Sequence, residues 1–212
     1  MTTFAILLGG TIAATARLLG QVRGARVIAA DSGMAHAAVL GLTPELWIGD
    51  FDSAGSELAL RYRDVPRETH PPEKNATDGG LAIAEALRRG ASEIVMVGAL
   101  GGQADHMLGH MGQALQLARA GQRCLLTSGR EEAYPFVRGE TLIDLPATSR
   151  VSLIPFTDLE GLDLAGVQWP LINRAVPLGS TLTLSNVAHG PVRIGLRSGY
   201  GMAVAYPAPA DG

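Results

Sequence analysis

A chain of 212 residues that is 47% apolar and only 17% charged carries enough hydrophobic side chain for a substantial core, which excludes disorder. Its formal net charge of −3 excludes a general attraction to nucleic acid or to an anionic membrane surface. The single cysteine, Cys124, can form no intrachain disulfide and sits in the run Arg123-Cys124-Leu125-Leu126, the setting of an inert buried thiol.

The N-terminus has no basic region, and the apolar run over residues 4–8 is too short for a signal peptide or a membrane span. A cytoplasmic location with no membrane partner is therefore expected. Residues 4–10 read as a short strand ending in Gly9-Gly10, with Thr11 as cap of a helix over residues 12–19. A strand over 27–30 runs into Asp31-Ser32-Gly33, and a helix over 34–40 stops at Gly41. The strand at 46–48 turns at Gly49 into Asp50-Phe51-Asp52-Ser53. A helix over 56–62 and a weak strand over 67–70 precede the Pro71-Pro72 loop. Lys74-Asn75-Ala76-Thr77-Asp78 then opens a helix over 78–89, capped by Thr77 and ended by Gly90. A buried strand over 94–97 leads to Gly98-Ala99-Leu100-Gly101-Gly102, a helix over 104–120 and a strand over 123–127.

After residue 128 no helical period appears. Short β-rich runs (141–145, 150–155, 180–184, 192–196, 202–206) are separated by Gly and Pro. Apolar strands alternating with helices predict a Rossmann-like α/β domain with a parallel sheet over residues 1–130. The later pattern predicts an all-β antiparallel sandwich over 131–212.

In the first domain the unusual polar groups fall just after strands or at helix starts, where open α/β sheets bind ligands. Asp50 and Asp52 are spaced i, i+2, which in extended backbone turns both carboxylates the same way. Two such carboxylates repel unless a proton or cation lies between them, and a hard dication such as Mg²⁺ suits oxygen ligands. Asp31 and Asp78 follow other strands. Lys74 is the one lysine among seventeen basic residues. Acids holding Mg²⁺, Mg²⁺ holding phosphates and Lys74 neutralising charge describe a metal–polyphosphate site for phosphoryl transfer. Each piece alone has a plainer reading: a polar turn at 49–53, first-turn helix acids at Asp78 and Asp105, a tight turn at 98–102. His106 and His110 are spaced i, i+4, but Met107 stands where a zinc helix carries Glu, so both read as helix-face residues. Trp47 and Trp169 read as core.

Taken together these segments resemble thiamine pyrophosphokinases. That family shows Asp-x-Gly, Gly-Asp-x-Asp-Ser, Lys-Asp-x-Thr-Asp, Gly-x-x-Gly-Gly-Arg-x-Asp-His and a late Ser-Asn. Here stand Asp31-Ser32-Gly33, Gly49-Asp50-Phe51-Asp52-Ser53, Lys74-Asn75-Ala76-Thr77-Asp78, Gly98 to His106, and Ser185-Asn186. The resemblance implies a homodimer that moves the β,γ-pyrophosphate of ATP onto the hydroxyethyl group of thiamine, releasing AMP. It implies Mg²⁺ and catalytic roles for Asp50, Asp52 and Asp78 with Asp31 beside them. It also implies phosphate or ATP contacts from Lys74, Thr77, Gly101 and Gly102. Thiamine contacts are implied from Asp105 and from the partner's Ser185 and Asn186. Asn75 and Gln103 depart from the pattern, replacing an Asp and an Arg, so a negative and a positive charge are missing. Val187 also stands where bacterial members often carry Glu. A pyrophosphokinase for another alcohol, such as a hydroxymethylpterin, and a non-catalytic thiamine- or nucleotide-binding homologue are the alternatives. A phosphatase with an Asp-x-Asp nucleophile wants Thr or Val where this chain has Ala54.

Overall fold

The computed structural model describes residues 2–51, 56–69 and 77–209. Two compact units emerge. One runs through His110 and includes Gln122–Gly129, and the other holds Met111–Gly121 and the chain from Arg130 onward.

The first unit is built on six strands: β1 (Thr3–Leu7), β2 (Arg26–Ala30), β3 (Leu46–Gly49), β4 (Arg67–Thr69), β5 (Glu93–Val97) and β6 (Arg123–Thr127). All neighbours are parallel, in the order β6-β5-β1-β2-β3-β4. Ala5 of β1 faces Val27 on one side and Val95 on the other. The chain steps outward from β1 to β4, then crosses back to lay β5 on the other side of β1. The sheet's direction of growth therefore reverses between β1 and β5, which opens a crevice at their carboxyl ends. Strands β1, β2, β3 and β5 are buried along almost their whole length, as expected for a parallel sheet covered on both faces. Leu7, Leu18, Met34, Trp47 and Val97 belong to one buried cluster. Each fully buried side chain of this size contributes about 1.5–3 kcal/mol.

The helices of this unit are α1 (Ala16–Gln21), α2 (His36–Val39), α3 (Ser56–Arg61), α4 (Asp78–Arg88) and the start of α5 (Ala104–Arg119). A 3₁₀ turn over Asp31–Ala35 precedes α2, so the expected helix from residue 34 is divided. Helix α1 begins later than residue 12 because the backbone there is bonded elsewhere. Thr11 N donates to Gly101 O at 3.2 Å and Ala13 N to Ser128 O at 2.8 Å. The cap is thus Thr15 rather than Thr11, its hydroxyl accepting from Leu18 N at 3.2 Å. Thr77 caps α4 as its residue type predicts, accepting from Gly80 N at 3.2 Å.

The second unit contains β7 (Glu132–Ile143), β8 (Arg150–Pro155), β9 (Leu159–Val167), β10 (Leu171–Val176) and β11 (Asn186–Tyr206). The pairings of β11 with β7, β8 and β9, and of β10 with β9, are antiparallel. The two runs expected at 192–196 and 202–206 are parts of the single 21-residue β11, whose register with β7 shifts between Leu196 and Tyr200. Residues 180–184, expected as a strand, form none, and β9 and β10 stand in a stretch where no strand was expected. Phe136, Ile143, Leu153, Leu162, Ile194 and Ala203 are among the side chains that close this unit's core.

Candidate active site

The crevice between β1 and β5 widens into a cavity of about 870 Å³. Its floor is backbone. Gly9 and Gly10 follow β1, and Gly98, Gly101 and Gly102 follow β5. Gly98 holds φ +77° and donates from its N–H to Thr127 O at 2.8 Å, while Leu8 N donates to Val97 O at 2.8 Å. The second bond ties the turn after β1 to the end of β5, and the first ties the turn after β5 to the end of β6. His36 reaches in from α2, its Nε2 2.8 Å from Gly10 O. Since a carbonyl only accepts, Nε2 must carry the proton there.

Acids line one side. Asp31 begins the 3₁₀ turn after β2, Asp50 follows β3, and Asp78 opens α4, and all three line the cavity together with Ser32 and Thr77. Gln103, His106, Met107 and His110 of the α5 region complete the wall. The N-termini of the 11-residue α4 and the 16-residue α5 therefore abut the cavity, offering N–H groups and positive potential to phosphate.

The sequence placed Asp31, Asp50, Asp78, Thr77, Gly101 and Gly102 at a common site, and the structure brings all six to this cavity. Asp52, Ser53, Lys74 and Asn75 lie outside the described residues. Phe51, which follows Asp50, has φ +62°, a left-handed turn rather than extended backbone, and the direction of the pair as a whole lies outside the described residues. Asp105 is exposed and not among the lining residues, its Oδ1 accepting from His106 N at 2.9 Å.

Ser185 and Asn186 belong to the second unit. Ser185 is exposed with φ +59°. Asn186 is only 6% exposed. Its Nδ2 donates to Trp169 O at 2.8 Å, and its Oδ1 accepts from Trp169 N at 3.1 Å and Val187 N at 2.9 Å. The amide thus clamps the β9–β10 turn. Trp169, read as core from its residue type, is instead 57% exposed on that turn. Trp47 is buried as expected.

The two histidines are also corrected. His106 and His110 face the cavity rather than an ordinary helix surface, their ring centres 6.3 Å apart. His110 Nδ1 lies 3.3 Å from Ala99 O, so Nδ1 carries the proton and a neutral ring leaves Nε2 as an acceptor. Burial holds its pKa below the usual histidine value, with a further push from His106 against the opposing Ala99 bond. Period alone could not reveal this, because a cavity wall and a solvent face look alike in a helical pattern.

Among the described residues no group of three His, Cys, Asp or Glu side chains forms a ready metal cage. The donors facing the cavity at the acid side are nonetheless carboxylate oxygens. That set fits Mg²⁺, which keeps several waters and takes phosphate oxygens instead of demanding an all-protein shell.

Two family models match the chain: "Thiamin pyrophosphokinase, catalytic domain" over residues 23–126 and "Thiamin pyrophosphokinase, vitamin B1 binding domain" over 140–200. The curated thiamine pyrophosphokinase of Bacillus subtilis is 32% identical over 163 residues, covering 75% of this chain and 76% of that protein. A crystal structure of thiamine pyrophosphokinase from Bacillus subtilis superposes with a TM-score of 0.86 at 28% identity, covering 97% of this chain and 99% of that one. The thiamin pyrophosphokinase structure from Geobacillus thermodenitrificans has the same fold, with a TM-score of 0.82 at 23% identity over 99% of each chain. The mixed α/β chain described here belongs to the thiamin pyrophosphokinase family.

Proposed function

We propose that this chain transfers the β,γ-pyrophosphoryl group of ATP to the hydroxyethyl oxygen of thiamine, giving thiamine diphosphate and AMP. The observation that carries this reading is the meeting of Asp31, Asp50 and Asp78 with two helix N-termini and glycine turns round one cavity, in a chain of this family.

Asp31, Asp50 and Asp78, with Asp52, would hold Mg²⁺. Bound there, Mg²⁺ supplies charge neutralisation and orientation of the phosphate oxygens. The chain's own groups do the rest. N–H groups at the starts of α4 and α5 donate to the polyphosphate oxygens, and the glycine floor lets the polyphosphate approach the backbone closely. Thr77 Oγ1 accepts from Gly80 N and keeps its own proton to donate to a phosphate oxygen. Lys74 neutralises charge as the acceptor oxygen bonds the β-phosphorus and the α–β bridge breaks. AMP departs with the bridging oxygen, and the proton lost by the hydroxyethyl oxygen passes to water.

Recognition of thiamine falls to the second unit, whose residues 140–200 match the vitamin B1 binding model. We read that unit as a β-sandwich and the first as Rossmann-like. Asp105 and a partner copy's Ser185 and Asn186 would frame the base, with Asn186 acting through the turn it clamps. Exposed Leu142, Trp169, Ile172 (87% exposed) and Leu182 are apolar surface that a second copy and thiamine would cover, supporting a homodimer. Among the described residues no helix is long and apolar enough to cross a membrane, and we place the reaction in the cytoplasm.

Incubation with ATP, thiamine and Mg²⁺, followed by separation of nucleotides and thiamine esters, tests this. AMP and thiamine diphosphate should form in equal amounts and cease on chelation. AMP release with a hydroxymethylpterin but not with thiamine would overturn the choice of acceptor.

A further inference from the structure

Two non-glycine residues of the first unit, Asp31 (φ +44°) and Phe51 (φ +62°), hold left-handed backbone on the two turns that carry Asp31 and Asp50. Each such residue costs on the order of 1–3 kcal/mol and persists only where its surroundings over-determine it. One side chain touches both turns. Trp47, fully buried on β3, donates from its indole N–H to Asp31 O at 2.9 Å. Its ring meets the Phe51 ring edge to face, centres 5.0 Å apart and planes at 85°. The Arg67 guanidinium on the neighbouring β4 then lies over both rings, 5.0 Å from the Trp47 centre and 5.4 Å from that of Phe51. Its outer nitrogen donates to Ala59 O of α3 at 2.8 Å, which fixes the guanidinium in place.

We infer that Trp47 and Arg67 are positioning residues that hold the Asp31 turn and the Asp50 turn in the mutual arrangement the metal requires. Neither lines the cavity, so each acts through the acids it holds. The indole N–H fixes the carbonyl of one acid-bearing residue. The stacked rings fix the residue next to the other acid, and the cation over both rings resists their separation. A rigid, pre-set ligand pair binds without having to be ordered first, so loosening this stack weakens metal binding before it disturbs the acceptor. The inference rests on the reading of Asp31 and Asp50 as Mg²⁺ ligands given above.

The test titrates Mg²⁺ calorimetrically into the intact chain with a non-hydrolysable ATP analogue, alongside steady-state kinetics. Arg67 is exposed, and substitutions at such positions ordinarily shift stability little. Arg67→Gln is expected to weaken Mg²⁺ binding about five- to tenfold and lower kcat similarly, with thiamine KM unchanged. Arg67→Lys, which keeps a cation over the rings, should restore most of both. Trp47→Phe, which removes the N–H and keeps a ring, should weaken Mg²⁺ binding in the same sense. If that buried variant fails to fold, the Arg67 pair still decides. Unchanged Mg²⁺ affinity in Arg67→Gln, no rescue by Arg67→Lys, or a change confined to thiamine KM would each overturn the inference. A wild-type chain that binds Mg²⁺ and nucleotide but ignores thiamine would sink only the acceptor. One that binds neither would sink both.

Discussion

Gly10 and Gly98 meet so closely that a methyl carbon on Gly10 would lie 2.2 Å from the Gly98 carbonyl oxygen, and 2.3 Å from that of Gly101. Both neighbours are backbone, so neither can swing aside. Gly10→Ala should therefore force the β1 and β5 turns apart, costing about 1–3 kcal/mol. For a chain of this length that lowers the unfolding midpoint by about 2–4 °C per kcal/mol. Calorimetry should show the drop, and nucleotide affinity should fall with it because the same turns form the cavity floor. An unchanged midpoint would mean that the turns are not tightly apposed.

Asp50→Asn keeps the size of the side chain and removes its charge. Loss of this cavity-lining carboxylate, proposed above as a Mg²⁺ ligand, should lower kcat by about two to four decades with the fold intact. Circular dichroism and AMP release measured on the same sample check both halves. Wild-type turnover in the variant would remove Asp50 from the machinery.

Glu85 gives a pH prediction. Its carboxylate accepts from Arg88 Nε at 2.7 Å and from Arg89 Nε at 2.6 Å, and Arg89 also reaches Glu45. The bond from Arg88, joined by Arg89 against the opposing effect of burial, holds Glu85 at about 2, against an ordinary 4.5. The folded value is the lower one, so the stabilisation is complete above about pH 4.5 and is lost as pH falls towards 2. Glu85→Gln should cost about 1–3 kcal/mol at neutral pH and flatten this acid limb of the unfolding midpoint. An acid limb as steep as wild type would show that other carboxylates carry it.

Trp169→Ala should raise thiamine KM about tenfold with kcat nearly constant, because an exposed indole offers a face to a cationic aromatic acceptor. Asn186→Ala should act in the same direction and also destabilise, since it strips both backbone partners from the turn that presents the indole. Equal loss of kcat and no change of KM in Trp169→Ala would place the ring away from the acceptor.

How far the sequence discloses this molecule depends on the local chemistry of each stretch. Strand β6 could be read directly, because a short apolar run between Gly121 and Gly129 admits little else. Helix α4 could be read from Thr77 and Gly90 at its ends. Strand β10 could not, since of Leu171–Val176 only Val176 is buried and no alternation survives. Residues 180–184 look like a strand, yet Leu182 and Leu184 are exposed and Thr183 Oγ1 is bonded to Leu153 O instead. Pro135 lies inside β7, where proline would ordinarily argue against a long strand. At the site, acids immediately after strands are legible because sheet topology dictates where they gather. The reversal at Phe51 is not, because tertiary contacts with Trp47 and Arg67 hold it there. Pro170 beside Trp169 was the available sign that this tryptophan stands on a turn.

The length of β11 bears on how the protein is made. This strand is the common partner of β7, β8 and β9, and all three precede it in the chain. During synthesis at about 5–20 residues per second, those segments wait several seconds for the strand that joins them. The parallel unit is complete earlier, because its last strand, β6, is made before β7 begins. Nascent chains should therefore acquire protease resistance in two stages, the parallel unit first. Among the described strands β8 pairs with β11 alone, so it is the segment most in need of a chaperone in the interval.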